Sequence, residues 1–309
     1  MANHVIEPER RTLHGHFSRD LTPILQIEPG DTVQYRTLGA DWHSIPGVKF
    51  EPRDPVLDKG HALCGPILIK GAKPGMVLEV RIDRIIPAPF GYTVAGGWPN
   101  ETNDWLGVGE GTEQLLLKWS LDVANNTGTD QFGHTLALRP FMGVMGMPPA
   151  EPGIHPTAPP RVTGGNIDCK ELVEGSTLYL PVAVDGGLFS VGDGHALQGD
   201  GEVCTTAIEC PMEQVTLTFN LRDDLPIATP RANTPAGWLT LGFHKDLQEA
   251  NMIALAAMLD LMMEQYSFSR LEALALASLV VDMHVTQIVN GIRGVHAILP
   301  HGVLNSTPA

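Results

Sequence analysis

Short segments of alternating apolar residues, most of them opened by a glycine turn, constrain the fold of this chain more than any other feature. The clearest are EPGDTVQY, KPGMVLEVRI, VEGSTLYLPV and EQVTLTFNL. In each segment, one set of apolar residues points to the same face of the predicted strand. In order, these sets are Val33 and Tyr35; Leu78, Val80 and Ile82; Leu178, Leu180 and Val182; and Val215, Leu217, Phe219 and Leu221. Period-two alternation is typical of half-buried strands. The pattern predicts a sandwich-like or barrel-like, β-rich body over residues 1–220.

The last part of the chain changes to a helical pattern. Apolar residues recur at helical spacing over residues 245–266. A second helix is predicted over residues 269–290, where Ser269 and Glu272 form a capping box at its start. The sequence therefore predicts a smaller α/β subdomain with two helices over residues 221–309, packed on the β-rich body. The fold class is α+β overall.

The charge balance excludes several kinds of partner. The chain has 309 residues, with 20 Lys and Arg against 35 Asp and Glu, and a net charge of −15. Such a chain is repelled by nucleic acid and by anionic membranes. The longest apolar run, over residues 271–281, is too short to span a bilayer. Four scattered cysteines without a CxxC pair are typical of reduced thiols, so we expect a cytoplasmic protein.

Two stretches do not fit the strand pattern. Residues 147–160 contain six prolines, which exclude a helix or a central strand. Residues 86–114 are rich in glycine and aromatic residues and predict a long loop. This loop is either a lid or binding wall, in which Phe90, Trp98 and Trp105 would line a small apolar substrate pocket, or a surface crossover packed on its own aromatic residues.

Polar residues are concentrated in three glycine-rich segments: GGNID (164–168), VGDGHALQGDGE (191–202) and TAIE (206–209). Three pairs stand two positions apart: Asn166 and Asp168, Asp193 and His195, and Asp200 and Glu202. In an extended backbone such pairs point to the same side, so each pair can aim two side chains at one point. One histidine with two or three carboxylates is a standard ligand set for a divalent cation.

Less specific interpretations of these segments remain open. Glycine and aspartate are most often turn residues, and GGNID alone favours a turn. The segment GDGHALQGDGE favours a site, because gathering a histidine and four acidic groups, with Glu209 of TAIE as the fourth, is costly unless a cation offsets the charge. His14 could be a distant ligand, whereas His61 and most other histidines are interpreted as structural. Cys169, Cys204 and Cys210 are possible nucleophiles, although small buried cysteines are commoner.

Several long strings resemble the acetamidase/formamidase family. They are GGNIDCKEL, GSTLYLPVAVDGGLFSVGDGHALQGDGEVCTTAIE and RPFMGVMGMPP, and a looser similarity extends over about residues 13–300. The resemblance implies hydrolysis of a short, uncharged amide to a carboxylate and ammonia. It also implies a cytoplasmic homo-oligomer, a β-rich fold with a smaller α/β part, and a divalent metal, with zinc as the first candidate.

We therefore predict a metal-dependent amidohydrolase acting on small neutral amides. The predicted metal ligands are His195, Asp193 and Asp168, and the predicted catalytic residues are Glu202, Asn166 and Asp200. Glu202 would carry a proton from water to the amine, and Asn166 or backbone amides would steady the oxyanion. The expected partners are the amide and further copies of the chain, as a homodimer or a higher oligomer, without nucleic acid or membrane. The alternatives are a non-catalytic, metal-stabilised β-sandwich binding module, and an amidase that uses cysteine or water without a metal.

Overall fold

The structure, a computed structural model, describes residues 1–51 and 53–304, and β-strands are its main elements. Strands account for 40% of the chain and helices for 13%, which confirms the predicted β-rich α+β fold. The helical elements are a 3₁₀ turn at Arg10–Thr12, α1 (Glu101–Trp105), α2 (Leu247–Tyr266) and α3 (Arg270–Val280). In the described residues, no helix combines the length and the apolar character that a membrane crossing requires.

The strands are numbered in chain order. The first twelve are β1 (Asn3–Ile6), β2 (Leu13–His14), β3 (Leu25–Ile27), β4 (Thr32–Thr37), β5 (His43–Ile45), β6 (Val48–Lys49), β7 (Leu63–Ile69), β8 (Val77–Pro87), β9 (Phe90–Ala95), β10 (Leu115–Asp122), β11 (Thr127–Asp130) and β12 (Thr135–Ala137). The others are β13 (Phe141–Gly146), β14 (Gly164–Asn166), β15 (Thr177–Pro181), β16 (Phe189–His195), β17 (Met212–Arg222), β18 (Arg231–Thr234), β19 (Gly237–His244), β20 (Asp282–Gln287) and β21 (Arg293–Pro300).

The largest sheet has the strand order β1-β4-β17-β8-β15-β18-β19-β21-β20. The four strands predicted from alternation, β4, β17, β8 and β15, lie side by side in it. Their predicted inward residues are buried, except for Leu221, which is half-buried at the end of β17. Alternation is visible in these strands because only one face of the sheet meets the core.

A second sheet, with the order β14-β13-β16-β7-β2 and with β3 beside β7, contributes to the same apolar core. Phe189 on β16 and Phe219 on β17 meet edge to face, with ring centroids 5.1 Å apart. Each such fully buried side chain stabilises the fold by about 1.5–3 kcal/mol. The second sheet matters for function because β13, β14 and β16 end at the polar segments of the sequence.

The C-terminal part adds strands β18 to β21 to the nine-stranded sheet, and helices α2 and α3 pack on it around a second apolar cluster. The predicted start of the second helix is confirmed, because Ser269 and Glu272 form the capping box. Its predicted end at residue 290 is wrong. The β-branched Val281 adopts an extended conformation and ends α3, and β20 follows. The nine-stranded sheet continues without interruption across residue 220.

The two irregular stretches behave differently. Residues 147–160 contain no helix or strand, as the prolines predicted, and only an isolated bridge joins His155 to Phe17. The prediction of a long loop over residues 86–114 is wrong, because β9 and α1 lie within it. Strand β9 pairs with β10 in a four-stranded sheet. The β-formers Tyr92, Thr93 and Val94 outweigh the neighbouring glycines there.

Candidate functional site

Five buried ionisable side chains meet where β14 and β16 end. We call them the carboxylate cluster: Asp168, Asp193, His195, Glu202 and Glu209. His195 Nε2 lies 3.2 Å from Asp193 Oδ1 and 3.3 Å from Glu209 Oε2. Ligand atoms of Asp168, Asp193 and His195 lie within 4.8 Å of one another, and so do those of His195, Glu202 and Glu209. The two sets share His195.

The tautomer of His195 follows from its contact with Gln198. Gln198 Nε2 donates to the backbone carbonyl of Asp168 at 2.8 Å, so its Oε1 is the atom that lies 2.9 Å from His195 Nδ1. Because Oε1 can only accept, His195 Nδ1 carries the proton of this hydrogen bond. The other ring nitrogen, Nε2, therefore points its lone pair at the carboxylates when the ring is neutral. This is the arrangement that metal-ligating histidines adopt.

Three members of the cluster hold left-handed backbone conformations. The φ angles are 52° at Asp168, 58° at Asp193 and 47° at Glu202. Non-glycine residues with positive φ are uncommon and typically cost 1–3 kcal/mol, and they concentrate at functional sites. The fold therefore accepts strain to aim three carboxylates at one point.

Gly143, on the neighbouring strand β13, leaves the space that the cluster occupies. A Cβ at this position would lie 2.6 Å from Asp193 Oδ2 and 2.7 Å from Asp168 Oδ1. The Gly143 carbonyl also accepts the backbone amides of Ile167 and Asp168, at 2.9 and 3.2 Å. Gly143 thus both positions Asp168 and makes room for its carboxylate.

Burial and mutual repulsion set the protonation of these groups. Burial, followed by the charge of Asp193, raises the pKa of Asp168 to about 8. Burial and the charge of Asp168 raise the pKa of Glu202 well above its ordinary value. At Asp193 burial opposes ionisation, but the charges of His195 and His61 outweigh it and lower the pKa. The cluster thus binds protons strongly when it is left without a cation.

The residues fit a bound cation. Among the described residues, the buried oxygen atoms without a hydrogen-bond partner include four at this site: Asp168 Oδ1, Glu202 Oε2, Glu209 Oε2 and Asn166 Oδ1. An unpaired buried oxygen typically costs 1–3 kcal/mol, and more when it is charged. All four atoms are hard donors, and with one imidazole they form a set that divalent cations bind.

The cluster opens into a cavity of about 700 Å³. Asn166, Asp193, Glu202 and Glu209 contribute to its lining, together with Asn290. Other residues come from distant parts of the chain and complete the wall: His16, Trp42, His61, Tyr92 and Thr157. An acidic, buried cluster facing a cavity is an arrangement in which a cation can also meet a small molecule.

Comparison with known proteins identifies the family of this chain. The sequence model of the acetamidase/formamidase family matches residues 2–154 and 150–305. The chain belongs to the acetamidase/formamidase family. The family resemblance of the glycine-rich strings is thereby confirmed.

Relatives in this family are moderately similar. An acetamidase of Mycolicibacterium smegmatis is 31% identical over 250 residues, which cover 62% of this chain and 61% of the relative. A formamidase of Methylophilus methylotrophus is 27% identical over 244 residues, with 62% and 59% covered. The chain thus spans about three fifths of the length of these relatives. The crystal structure of a recombinant predicted acetamidase/formamidase from Thermoanaerobacter tengcongensis has a TM-score of 0.84 at 26% identity, covering 98% of both chains.

The structure brings together most of the predicted site residues of this family member. Asp168, Asp193, His195 and Glu202 all belong to the carboxylate cluster, and Asn166 lines the cavity beside them. Asn166 Nδ2 donates to the carbonyl of Ala158 at 3.1 Å, which leaves Oδ1 free. The free Oδ1 is an acceptor, while the amide nitrogen carries a second N–H, so the predicted oxyanion role of this side chain stays a prediction.

Asp200 lies outside the cluster, which corrects the prediction that it shares a site with Glu202. Its carboxylate accepts from Lys170 at 2.7 Å and lies 2.9 Å from His284 Nδ1. The reason is local. Gly201 and Glu202 both have positive φ, so the backbone turns between the two acids and the alternation of an extended strand does not apply.

The predicted aromatic pocket residues do not line the cavity. Trp105, in α1, is 89% exposed, and Phe90 and Trp98 are half-buried elsewhere. The aromatic part of the wall comes instead from Trp42 and Tyr92. Tyr92 belongs to the same stretch of sequence, but its pairing within β9 could not be read from composition.

Three contributors to the site were not assigned to it from the sequence. Glu209, the last residue of the TAIE segment, has no predicted role from the sequence. His61, interpreted as structural, lines the cavity, and its charge acts on Asp193. Asn290 Nδ2 donates to Asp168 Oδ2 at 2.7 Å. Only long-range folding brings these residues together, so no spacing rule could have found them.

The cysteines are poor nucleophiles in this fold. Cys169 and Cys210 are fully buried, and burial raises the pKa of Cys169 to about 12 and that of Cys210 still further. Both thiols therefore stay protonated at neutral pH, and a thiol is a weak nucleophile. Cys204, which is half-buried, donates to the Thr206 carbonyl at 3.2 Å and does not line the cavity.

Proposed function

We propose that the chain is a metal-dependent amidohydrolase that converts short linear amides, of the formamide and acetamide type, to a carboxylate and ammonia. The observation that carries the proposal is the carboxylate cluster itself, with its unpartnered buried oxygens at the floor of a cavity. Family membership supports the reaction class, since relatives carry the names formamidase and acetamidase. As the family resemblance implies, we expect a cytoplasmic homo-oligomer.

The metal ligands in this proposal are His195, Asp193 and Asp168, and zinc is the first candidate. A bound divalent cation supplies a polarised carbonyl and a water acidic enough to attack at neutral pH. Gln198 fixes the ring of His195, and Asn290 holds Asp168 through its Oδ2. These partners orient the ligands before any cation binds.

Glu202 accepts the proton of the attacking water and returns it to the departing amine. Burial and the charge of Asp168 raise its pKa, which makes the carboxylate a stronger base toward the proton of water. Glu209, whose Oε2 lies 3.3 Å from His195 Nε2, is the second glutamate at the cavity. The two glutamates frame the position of the scissile bond.

Tyr92 and Asn166 orient the amide. Burial and the charge of Glu209 raise the pKa of Tyr92, so its hydroxyl keeps its proton and can donate to the oxyanion. Asn166 Oδ1 is an acceptor and can receive an N–H of the substrate amide. Together they distinguish the carbonyl side of an amide from its nitrogen side.

The geometry speaks against the binding-module alternative. A structural metal site is closed by protein ligands, whereas this cluster borders a cavity of about 700 Å³. It also speaks against a cysteine nucleophile, because the buried thiols near the cluster stay protonated.

The test is ammonia release from formamide and acetamide by the purified chain, before and after chelation and again after zinc is added. We expect activity that is lost with the chelator and restored by the metal. Activity that survives complete metal removal would contradict metal dependence, and the absence of ammonia release from any short amide by the metal-loaded protein would contradict the amidase itself.

A further inference from the structure

The cavity is far larger than the smallest substrates of the proposed reaction. At about 700 Å³ it lies within the range of pockets that enclose drug-sized ligands, about 300–1,000 Å³. It has room for roughly 20 water molecules at about 30 Å³ each, whereas formamide would displace only two or three. Most of the volume therefore lies beyond the reacting amide.

Charge is distributed unevenly along this cavity. The floor holds the buried acids Asp193, Glu202 and Glu209. The solvent-facing rim holds three cations, which are Lys49, Arg53 and Lys59. The whole chain has only 20 lysines and arginines against 35 acids. Three cations at one opening of so acidic a protein form a local positive field at the mouth.

The rim cations differ in how far they are already paired. Lys49 lies 3.9 Å from Asp41, which also lines the cavity, and Arg53 lies 3.4 Å from Glu51. Lys59 is exposed and forms no ion pair with any residue in the ranges 1–51 and 53–304. Lys59 is thus the cation that remains free to bind a negative group of a ligand.

Apolar side chains lie in the same opening. Val56 and Ile154 line the cavity and are 64% and 56% exposed, and Pro156 lies beside them. Exposed apolar residues in a ligand opening indicate contact with the apolar part of a ligand. The acidic centre is buried, whereas the apolar side chains and the cations share the opening.

We propose that the favoured substrates of this chain are primary amides that carry a carboxylate at the far end of an aliphatic stem, and that Lys59 at the rim binds this carboxylate. The proposal rests on the proposed amidase function. The reacting end is still an uncharged amide. Water adds to its carbonyl carbon, the C–N bond breaks and one proton of the water goes to nitrogen; the new carboxylic acid passes the second proton to ammonia, so that a dicarboxylate and ammonium leave. The tail carboxylate is unchanged in the reaction.

The experiment compares two substrates of equal length, hexanamide and the monoamide of adipic acid, on the zinc-loaded chain. The variants are Lys59→Glu and, as a control, Lys118→Glu, which changes an exposed lysine that does not line the cavity. The ratio of kcat/KM for the acid-tailed amide to that for hexanamide is measured at low and high salt. Calorimetric titration with adipate reports tail binding without turnover.

We expect the ratio to exceed one in the unmodified chain, to fall roughly 3- to 10-fold in Lys59→Glu and to stay unchanged in Lys118→Glu. Added salt should reduce the ratio, because the contact is exposed. Equal kcat/KM values for both amides, or a ratio that Lys59→Glu does not change, would overturn the proposal that Lys59 binds the tail carboxylate. Hydrolysis of both amides would still support the amidase function. If no amide is hydrolysed, the proposed amidase function is wrong. In that case, adipate binding that requires Lys59 would still support the rim site, whereas the absence of adipate binding would contradict it.

Discussion

Gln198 Oε1 lies 2.9 Å from His195 Nδ1, and this one contact decides which ring nitrogen faces the acids of the site. The amide of Gln198 is itself fixed, because its Nε2 donates to the Asp168 carbonyl. The segment that follows β16 thereby joins two candidate ligands through a side chain that touches neither the cavity nor a substrate.

Replacing this glutamine should weaken metal binding. In Gln198→Leu the ring of His195 loses the acceptor that fixes its tautomer and orientation. We expect zinc affinity to fall roughly 10- to 100-fold, measured by competition with a chromophoric chelator. The variant Gln198→Glu keeps an acceptor for Nδ1 and should retain most of the affinity. Equal affinities in Gln198→Leu and the unmodified chain would refute this positioning role.

A single methyl group at Gly143 should disrupt the site. In Gly143→Ala the new Cβ would meet the carboxylates of Asp193 and Asp168 at less than 3 Å, so the two ligands must separate. We expect loss of metal binding with little change in far-ultraviolet circular dichroism. Gly199→Ala is the matched control, because no atom lies within 4 Å of its added Cβ. Normal metal content in Gly143→Ala would show that the two carboxylates do not act together.

Tyr92 should affect the chemical step more than binding. Loss of one donor to an oxyanion typically lowers kcat about 100- to 1000-fold. We expect Tyr92→Phe to show such a loss for acetamide, with unchanged zinc content and a similar KM. The control is Tyr179→Phe on β15, whose ring stacks on Trp238 away from the cavity. An unchanged kcat in Tyr92→Phe would show that the Tyr92 hydroxyl has no part in the mechanism.

Buried His14 should make the fold sensitive to mild acid. Burial lowers its pKa to about 4 from an ordinary value near 6.5, and its ring nitrogens contact Ser190 Oγ and the His16 carbonyl. As the pH falls below 6.5, the unfolded chain binds the proton first, so the free energy of unfolding decreases until about pH 4. The contribution is on the order of 3 kcal/mol.

Urea denaturation between pH 7 and pH 4 measures this effect. We expect a shallower loss of stability in His14→Gln, which has no group that titrates in this range. His244→Gln, at an exposed position, should follow the unmodified chain. If the three proteins lose stability in parallel, His14 does not control the acid response.

The sequence was informative wherever a local rule decides the structure. Alternation located β4, β8, β15 and β17 because each of these strands has one buried face. Spacing of two predicted that Asp193 and His195 meet, and both lie on β16, although the left-handed φ of Asp193 also contributes to its direction. These features depend only on neighbours along the chain.

The remaining features depend on tertiary contacts or on local strain. The left-handed turn at Gly201 and Glu202 separates Asp200 from the site, although an extended strand would have kept the pair together. His61 and Tyr92 reach the cavity from strands or loops far away in sequence. Gly143 matters through an absent side chain, which becomes visible only when Asp168 and Asp193 are placed beside it.

The central claim is that the carboxylate cluster binds a catalytic divalent cation, and metal content per chain tests it most directly. Asp193→Asn and Asp200→Asn are the same chemical change seven residues apart, one within the cluster and one outside it. After incubation with zinc and removal of free metal, elemental analysis should find metal in the unmodified chain and in Asp200→Asn, but not in Asp193→Asn. A metal-free unmodified chain, or equal metal in both variants, would contradict the account.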